Sequence, residues 1–112
     1  MNVLKLAAVL ILLNLAAATP VQAKDWLTKE EVVATFIGKP WRSPGGTFVF
    51  RKDGTYIYTR HGQKTQGPWS YQVNPDGSLS GAKTTYRFFR ANNGRLRYWH
   101  STSNRNINVF LD

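Results

Sequence analysis

Between residues 45 and 73 the chain alternates aromatic and other positions with a period of two, and the same rhythm returns from residue 86 onward. Phe48 and Phe50 alternate with Val49 and Arg51, and Tyr56 and Tyr58 alternate with Ile57 and Thr59. Successive side chains on a strand point to opposite faces, so each run presents an aromatic stripe. Lys52-Asp53-Gly54 lies between the runs, and Asp-Gly in that place predicts a hairpin. A three-residue loop with Gly54 left-handed sets Phe50 against Tyr56 and Phe48 against Tyr58. A two-residue Asp53-Gly54 turn would shift the register by one residue. The first is preferred because it opposes aromatic to aromatic.

The remaining strands follow from the same alternation. Trp69, Tyr71 and Val73 mark a strand after the polar stretch 61–67, and Leu79 a short one after the turn Asn74-Pro75-Asp76-Gly77. Residues 86–90 and 96–100 read as a pair joined by Asn92-Asn93-Gly94, and Ile107, Val109 and Leu111 as a last strand. Upstream, Pro40 and Pro44 argue for an irregular or edge segment, with Trp41 as a core anchor. Before it, Thr28 and Glu31 have the spacing of a capping box, Leu27 and Val32 that of a hydrophobic staple, and Gly38 suits a left-handed C-cap. They predict one helix over about 28–37, whose face of Val32, Val33, Phe36 and Ile37 must pack on the sheet as a lid or plug. The expected fold is mainly β: one short N-terminal helix, then about seven antiparallel strands in a meander, as a curled sheet or small barrel.

The first 23 residues stand apart. Lys5 gives a short positive region, Leu6 to Ala18 is apolar apart from Asn14, and Val21-Gln22-Ala23 offers small side chains at −3 and −1. That pattern is a signal peptide cleaved after Ala23, with no transmembrane segment remaining. About 90 residues stay as a single domain over 24–112, with little surplus core. Its stability must come from packing, because there is no cysteine, and every aromatic residue lies after the leader. The missing thiols also exclude disulfides, thiol catalysis and thiolate metal sites. Export to a periplasm or to the exterior is the expected localisation. The net charge is +9, of which Lys5 is the only contribution from the leader, so +8 remains on 24–112. Such an excess favours anionic partners.

The order helix, Gly38-Lys39-Pro40-Trp41, Gly46-Thr47-Phe48-Val49-Phe50, Asp53-Gly54-Thr55-Tyr56, Gly67-Pro68-Trp69-Ser70-Tyr71 resembles short lipocalin-like, calycin-type domains. It is similar also to exported proteobacterial small-domain families. The likeness covers most of 28–73 and rests on turn and core residues. It therefore implies a fold and carries over no catalytic residue. In a chain much shorter than true lipocalins, aromatic side chains are expected to fill the barrel.

Candidates for chemistry are few. Asp25, Glu30 and Glu31 belong to the helix start, and Asp53 and Asp76 brace Asp-Gly turns, which leaves Asp112. His61 and His100 are the only histidines. No ligand set for a metal converges on them, and no cofactor is implied. His100 near Ser101 and Ser103 invites a Ser-His pair that lacks an orienting acid. An enzyme is therefore not expected. The feature with binding potential is the interleaving of basic and aromatic residues in 86–90 and 95–99. A three-residue 92–94 loop sets Arg87 against Trp99 and Phe89 against Arg97, a surface suited to sugars, phosphates or stacked bases. Lys83 and Arg105 extend it, and Arg51, Arg60 and Lys64 form a second basic group. The bland reading of the same face is an outer wall with Arg stems lying on Phe89 and Trp99.

The functional expectation is an exported, non-enzymatic binding module for an anionic envelope component, such as lipopolysaccharide, another lipid headgroup or an acidic polysaccharide. The alternative is a protein-interaction or inhibitor module acting through loops 61–67 and 100–105. Nucleic acid is electrostatically suitable but disfavoured by export.

Overall fold

The computed structural model describes residues 24–111; the expected leader and Asp112 lie outside them. Nine strands and one helix follow one another as β1 (Asp25–Trp26), α1 (Lys29–Phe36), β2 (Pro40–Ser43), β3 (Gly46–Phe50), β4 (Thr55–Arg60), β5 (Thr65–Val73), β6 (Leu79–Gly81), β7 (Thr84–Arg90), β8 (Leu96–His100) and β9 (Arg105–Asn108). From β2 to β9 each strand pairs with the next, which is the expected meander, and β1 adds to the free part of β7. The chain beyond β9 then reaches back to β2. Arg42 and Phe110 exchange both backbone hydrogen bonds, at 2.9 and 2.8 Å, and the sheet becomes a nearly closed barrel. Closure hides the two edges that a meander would otherwise expose.

Two strands go beyond the sequence expectation. Segment 40–43, expected to be an irregular or edge segment, is a regular strand at one end of the strand order, in which Trp41 opposes Phe48. Residues 65–68 prolong β5 instead of belonging to a loop, with a bulge between Tyr56 and Tyr58 absorbing the shift. Both registers read from the turn chemistry are present: Phe50 with Tyr56 and Phe48 with Tyr58, and Arg87 with Trp99 and Phe89 with Arg97.

One turn design recurs at one end of the barrel. In 52–54, 75–77 and 92–94, a glycine with φ of +90°, +89° and +82° follows an Asp or Asn. The carboxylate or amide oxygen of Asp53, Asp76 and Asn93 accepts the N–H two residues on, from Thr55, Ser78 and Arg95. This is the three-residue hairpin with glycine at its left-handed position. The helix lies at the same end. Its capping box is complete, with Glu31 N–H donating to Thr28 Oγ1 at 3.1 Å and Thr28 N–H donating to Glu31 at 2.9 Å. Its cap at the other end differs from expectation. Ile37 is extended and bridges to Phe50, so the left-handed Gly38 directs its N–H to the Phe50 carbonyl at 2.6 Å and not to the helix.

Val32 and Phe36 are completely buried, and Val33, expected on the same face, is exposed. Phe36 stacks on Phe88 with ring centres 4.0 Å apart and meets Trp41 edge-on at 5.4 Å. Trp41 lies among Phe48, Phe50, Phe88 and Tyr98. An eight-residue helix does not hold itself together in water. It is kept by inserting Phe36 into the barrel, and so plugs that end.

Candidate functional site

The opposite end carries the connections 44–45, 61–64, 82–83 and 101–104, and it is open. A cavity of about 540 Å³ enters there. Its walls are aromatic because the inward positions of successive strands are aromatic: Phe48 from β3, Tyr56 and Tyr58 from β4, Trp69 from β5, Tyr86 from β7 and Tyr98 from β8. The rim adds Arg60 at the end of β4, His100 at the end of β8, Ser103, and Arg105 at the start of β9. None of the lining residues is acidic. The barrel interior is thus filled by its own aromatics at the α1 end only, where a short chain was expected to fill it throughout.

Burial raises the pKa of the phenols further above neutrality. Desolvation, with Tyr56 beside it, pushes the Tyr86 hydroxyl far above the ordinary phenol range, and desolvation pushes Tyr98 up to about 12. These groups offer hydrogen bonds without negative charge. Burial also lowers the His100 pKa, favouring neutral imidazole. The Ser103 backbone N–H donates to His100 Nδ1 at 3.2 Å, so that nitrogen carries the lone pair, and Ser103 Oγ lies 2.9 Å from it. No hydrogen bond or ion pair among the described residues joins a carboxylate to this ring. The His100–Ser103 contact closes a local loop; it lacks the acid that would make it a catalytic triad.

The rim is tied down. Trp99 Nε1 donates to Asn104 Oδ1 at 3.1 Å, the Ser101 N–H donates to the Thr85 carbonyl at 3.0 Å, and the Thr102 hydroxyl contacts Thr84 and donates to the Lys83 carbonyl. Ala82, Lys83 and Asn104 are the non-glycine residues with positive φ among those described, and all three stand in these connections. Left-handed backbone costs about 1–2 kcal/mol for a residue with a Cβ. Strain of that kind collects where function constrains the chain.

The residues singled out from the sequence divide between two places. Arg105 lines the cavity, and Lys83 sits in the strained turn beside its lining residues Ala82 and Thr84. Arg60, assigned to a separate basic group, shares the rim with Arg105. Arg87, Phe89, Arg97 and Trp99 lie on the outer face of the sheet, as their parity required, but β1 rearranges them. Trp26 packs edge-on against Phe89 at 5.6 Å, leaving Phe89 only 5% exposed. The Arg87 guanidinium lies over Trp26 at 4.1 Å, and Arg97 donates to the Asn106 carbonyl at 3.2 Å. Tyr58, Tyr86, Tyr98 and Trp69 fell under the general expectation that aromatic side chains fill the barrel, and none was singled out as a site residue. Their alternation told which face they occupy, and only the barrel's closure leaves space in front of them.

Among the described residues no group of three or more His, Cys, Asp or Glu side chains converges as a metal site would, and no helix is long and apolar enough to cross a membrane. Compared with known proteins, the chain matches no family model, no curated protein and no solved structure.

Proposed function

We propose that this protein is an exported, non-enzymatic binding module of lipocalin-like form that captures an anionic envelope component at the open end of its barrel. The observation that carries the reading is the 540 Å³ cavity with aromatic walls, Arg60 and Arg105 at its rim, and no acidic lining residue. An eight-stranded barrel is just wide enough to hold one small group. A concave, mostly apolar site with a few polar groups at its edge is the usual form of a ligand site. The two guanidinium groups meet the anion, while Tyr58, Trp69, Tyr86 and Tyr98 accommodate a ring or the start of an acyl chain. The headgroup of lipopolysaccharide and the terminal unit of an acidic glycan both have that chemistry, and both belong to the space an exported protein enters. The excess positive charge assists encounter at low salt.

The test is thermal stabilisation of the purified protein by lipopolysaccharide, an acidic glycan, a neutral glycan and single-stranded DNA, each at low and high salt. The expected result is stabilisation by an envelope anion that shrinks with salt and is lost in Arg60→Gln/Arg105→Gln. Stabilisation that survives the double substitution refutes the mouth as the site. A salt-insensitive stoichiometric complex with a protein would favour the interaction-module alternative.

A further inference from the structure

Outside the barrel, on the far side of the β7–β8 wall from the cavity, lies a second concavity. Lys24, Trp26, Arg87 and Trp99 enclose a groove of about 270 Å³. It exists because β1 pairs with β7 and brings Trp26 beside the Arg87–Trp99 register pair. Both indoles remain partly exposed.

From this groove we infer a saccharide subsite for acidic sugars on the outer wall, an inference that rests on the anion-binding reading above and names its ligand class. The argument begins with the two tryptophans. Arg87 and Lys24 lie over the Trp26 ring, at 4.1 and 5.4 Å, so the flat, electron-rich plane left for the C–H face of a pyranose is that of Trp99, with Trp26 as the side wall. The rings are also held in place. Trp99 is fixed by its Nε1–Asn104 hydrogen bond, and Trp26 by its edge-on contact with Phe89.

The charges complete the chemistry. Arg87 lies over Trp26 at 4.1 Å, and Lys24 Nζ stands 4.7 Å from the Phe89 ring centre while donating to Asn106 Oδ1 at 3.3 Å. Held against rings, both cations are placed at the groove with their direction set beforehand, which lowers the ordering cost of binding. Arg87 Nε forms an ion pair with Asp76 at 3.8 Å, too long for a hydrogen bond and open to solvent on the Asp76 side, where half of the side chain is exposed. Arg87 Nε itself is buried without a hydrogen-bond partner. That buried atom is out of a ligand's reach, and the donors left for a carboxylate or sulfate are the Arg87 Nη groups, which make no hydrogen bond among the described residues. With four lining residues and a volume of about 270 Å³, the groove is too small a track for a nucleic-acid strand, whose binding needs a run of phosphate contacts.

The four tryptophans make the test direct, because they divide among three places: Trp41 in the core, Trp69 at the mouth, Trp26 and Trp99 in the groove. Their indole N–H signals, assigned by single Trp→Phe variants, are followed by NMR during titration with an oligogalacturonate, a heparin oligosaccharide and maltohexaose. The expected result is movement of the Trp26 and Trp99 signals with one or both acidic sugars and little with maltohexaose. Arg87→Gln should then weaken that response at least about tenfold, as loss of a charge-assisted contact does. Movement of Trp69 alone would overturn the groove and leave the mouth reading standing. Still signals for Trp26 and Trp99 with every sugar, or equal movement with maltohexaose, would also overturn it. A parallel titration with lipopolysaccharide that leaves Trp69 still, with the groove response to the acidic sugars intact, would be the separate failure of the mouth.

Discussion

Replacing Phe36 with alanine measures how far α1 acts as the plug of the barrel. The ring is completely buried, stacked on Phe88 at 4.0 Å and edge-on to Trp41 at 5.4 Å. Truncation removes the transfer free energy of the ring and leaves a hole bounded by other aromatics, together about 3–5 kcal/mol. A domain of this size has roughly 4–13 kcal/mol in total, at about 0.05–0.15 kcal/mol per residue. Phe36→Ala should thus remove a large part of the stability. Phe36→Leu keeps most of the volume and loses only the two ring pairs, each worth about 0.5–1.5 kcal/mol, so about 1–3 kcal/mol is expected. Equilibrium urea unfolding followed by tryptophan fluorescence reads both, with an unchanged m-value showing that the same surface is exposed. A cost below about 1 kcal/mol for Phe36→Ala would refute the plug, because it would mean that the helix packs without depending on its buried ring. Equal costs for the two variants would refute the share given to ring stacking.

Other expectations follow from single contacts. Gly54 and Gly77 hold the same left-handed turn position, but a Cβ at Gly54 meets nothing within 4 Å, while at Gly77 it falls 2.8 Å from the Leu27 carbonyl oxygen. Gly54→Ala should cost about 1–2 kcal/mol of backbone strain, and Gly77→Ala at least about 1 kcal/mol more by urea unfolding; equal costs would mean that the turn does not press on the helix start. Thr28→Ala should cost about 1 kcal/mol through loss of the cap. Glu31 is held below its usual pKa, first by the Thr28 backbone N–H and then by Arg90, so the unfolded chain binds the proton first and stability falls as pH drops below about 4.5. That acid-side fall should be smaller in Glu31→Gln, as thermal melts at stepped pH would show. His100, lowered by burial, has the same sign nearer neutrality: the unfolded imidazole protonates first, and stability falls as pH drops below about 6.5. His100→Gln should flatten melting temperature between pH 7 and 5, and an unchanged slope would show that the ring is not desolvated.

Much of this fold is local, and that part was legible in the amino-acid order. The capping box of Thr28 and Glu31, the bracing of Asp53 and Asp76, and both hairpin registers depend on residues a few positions apart, so turn chemistry and side-chain parity suffice to place them. Parity also put Arg87 and Trp99 on one face and Tyr86 and Tyr98 on the other. What parity cannot reveal is what stands in front of a face. Trp26 covers Phe89 because a two-residue strand far earlier in the chain pairs with β7, and no short-range pattern announces so brief a pairing. The cavity likewise depends on Phe110 meeting Arg42 from the other edge of the sheet. An aromatic stripe becomes core where Phe36 is inserted and cavity wall where nothing is, as Phe88 and Tyr58 show. Strand order and inward aromatics were therefore properties of the sequence. Filled and open ends were decided by tertiary closure, since only contacts between distant segments set the volume those side chains share.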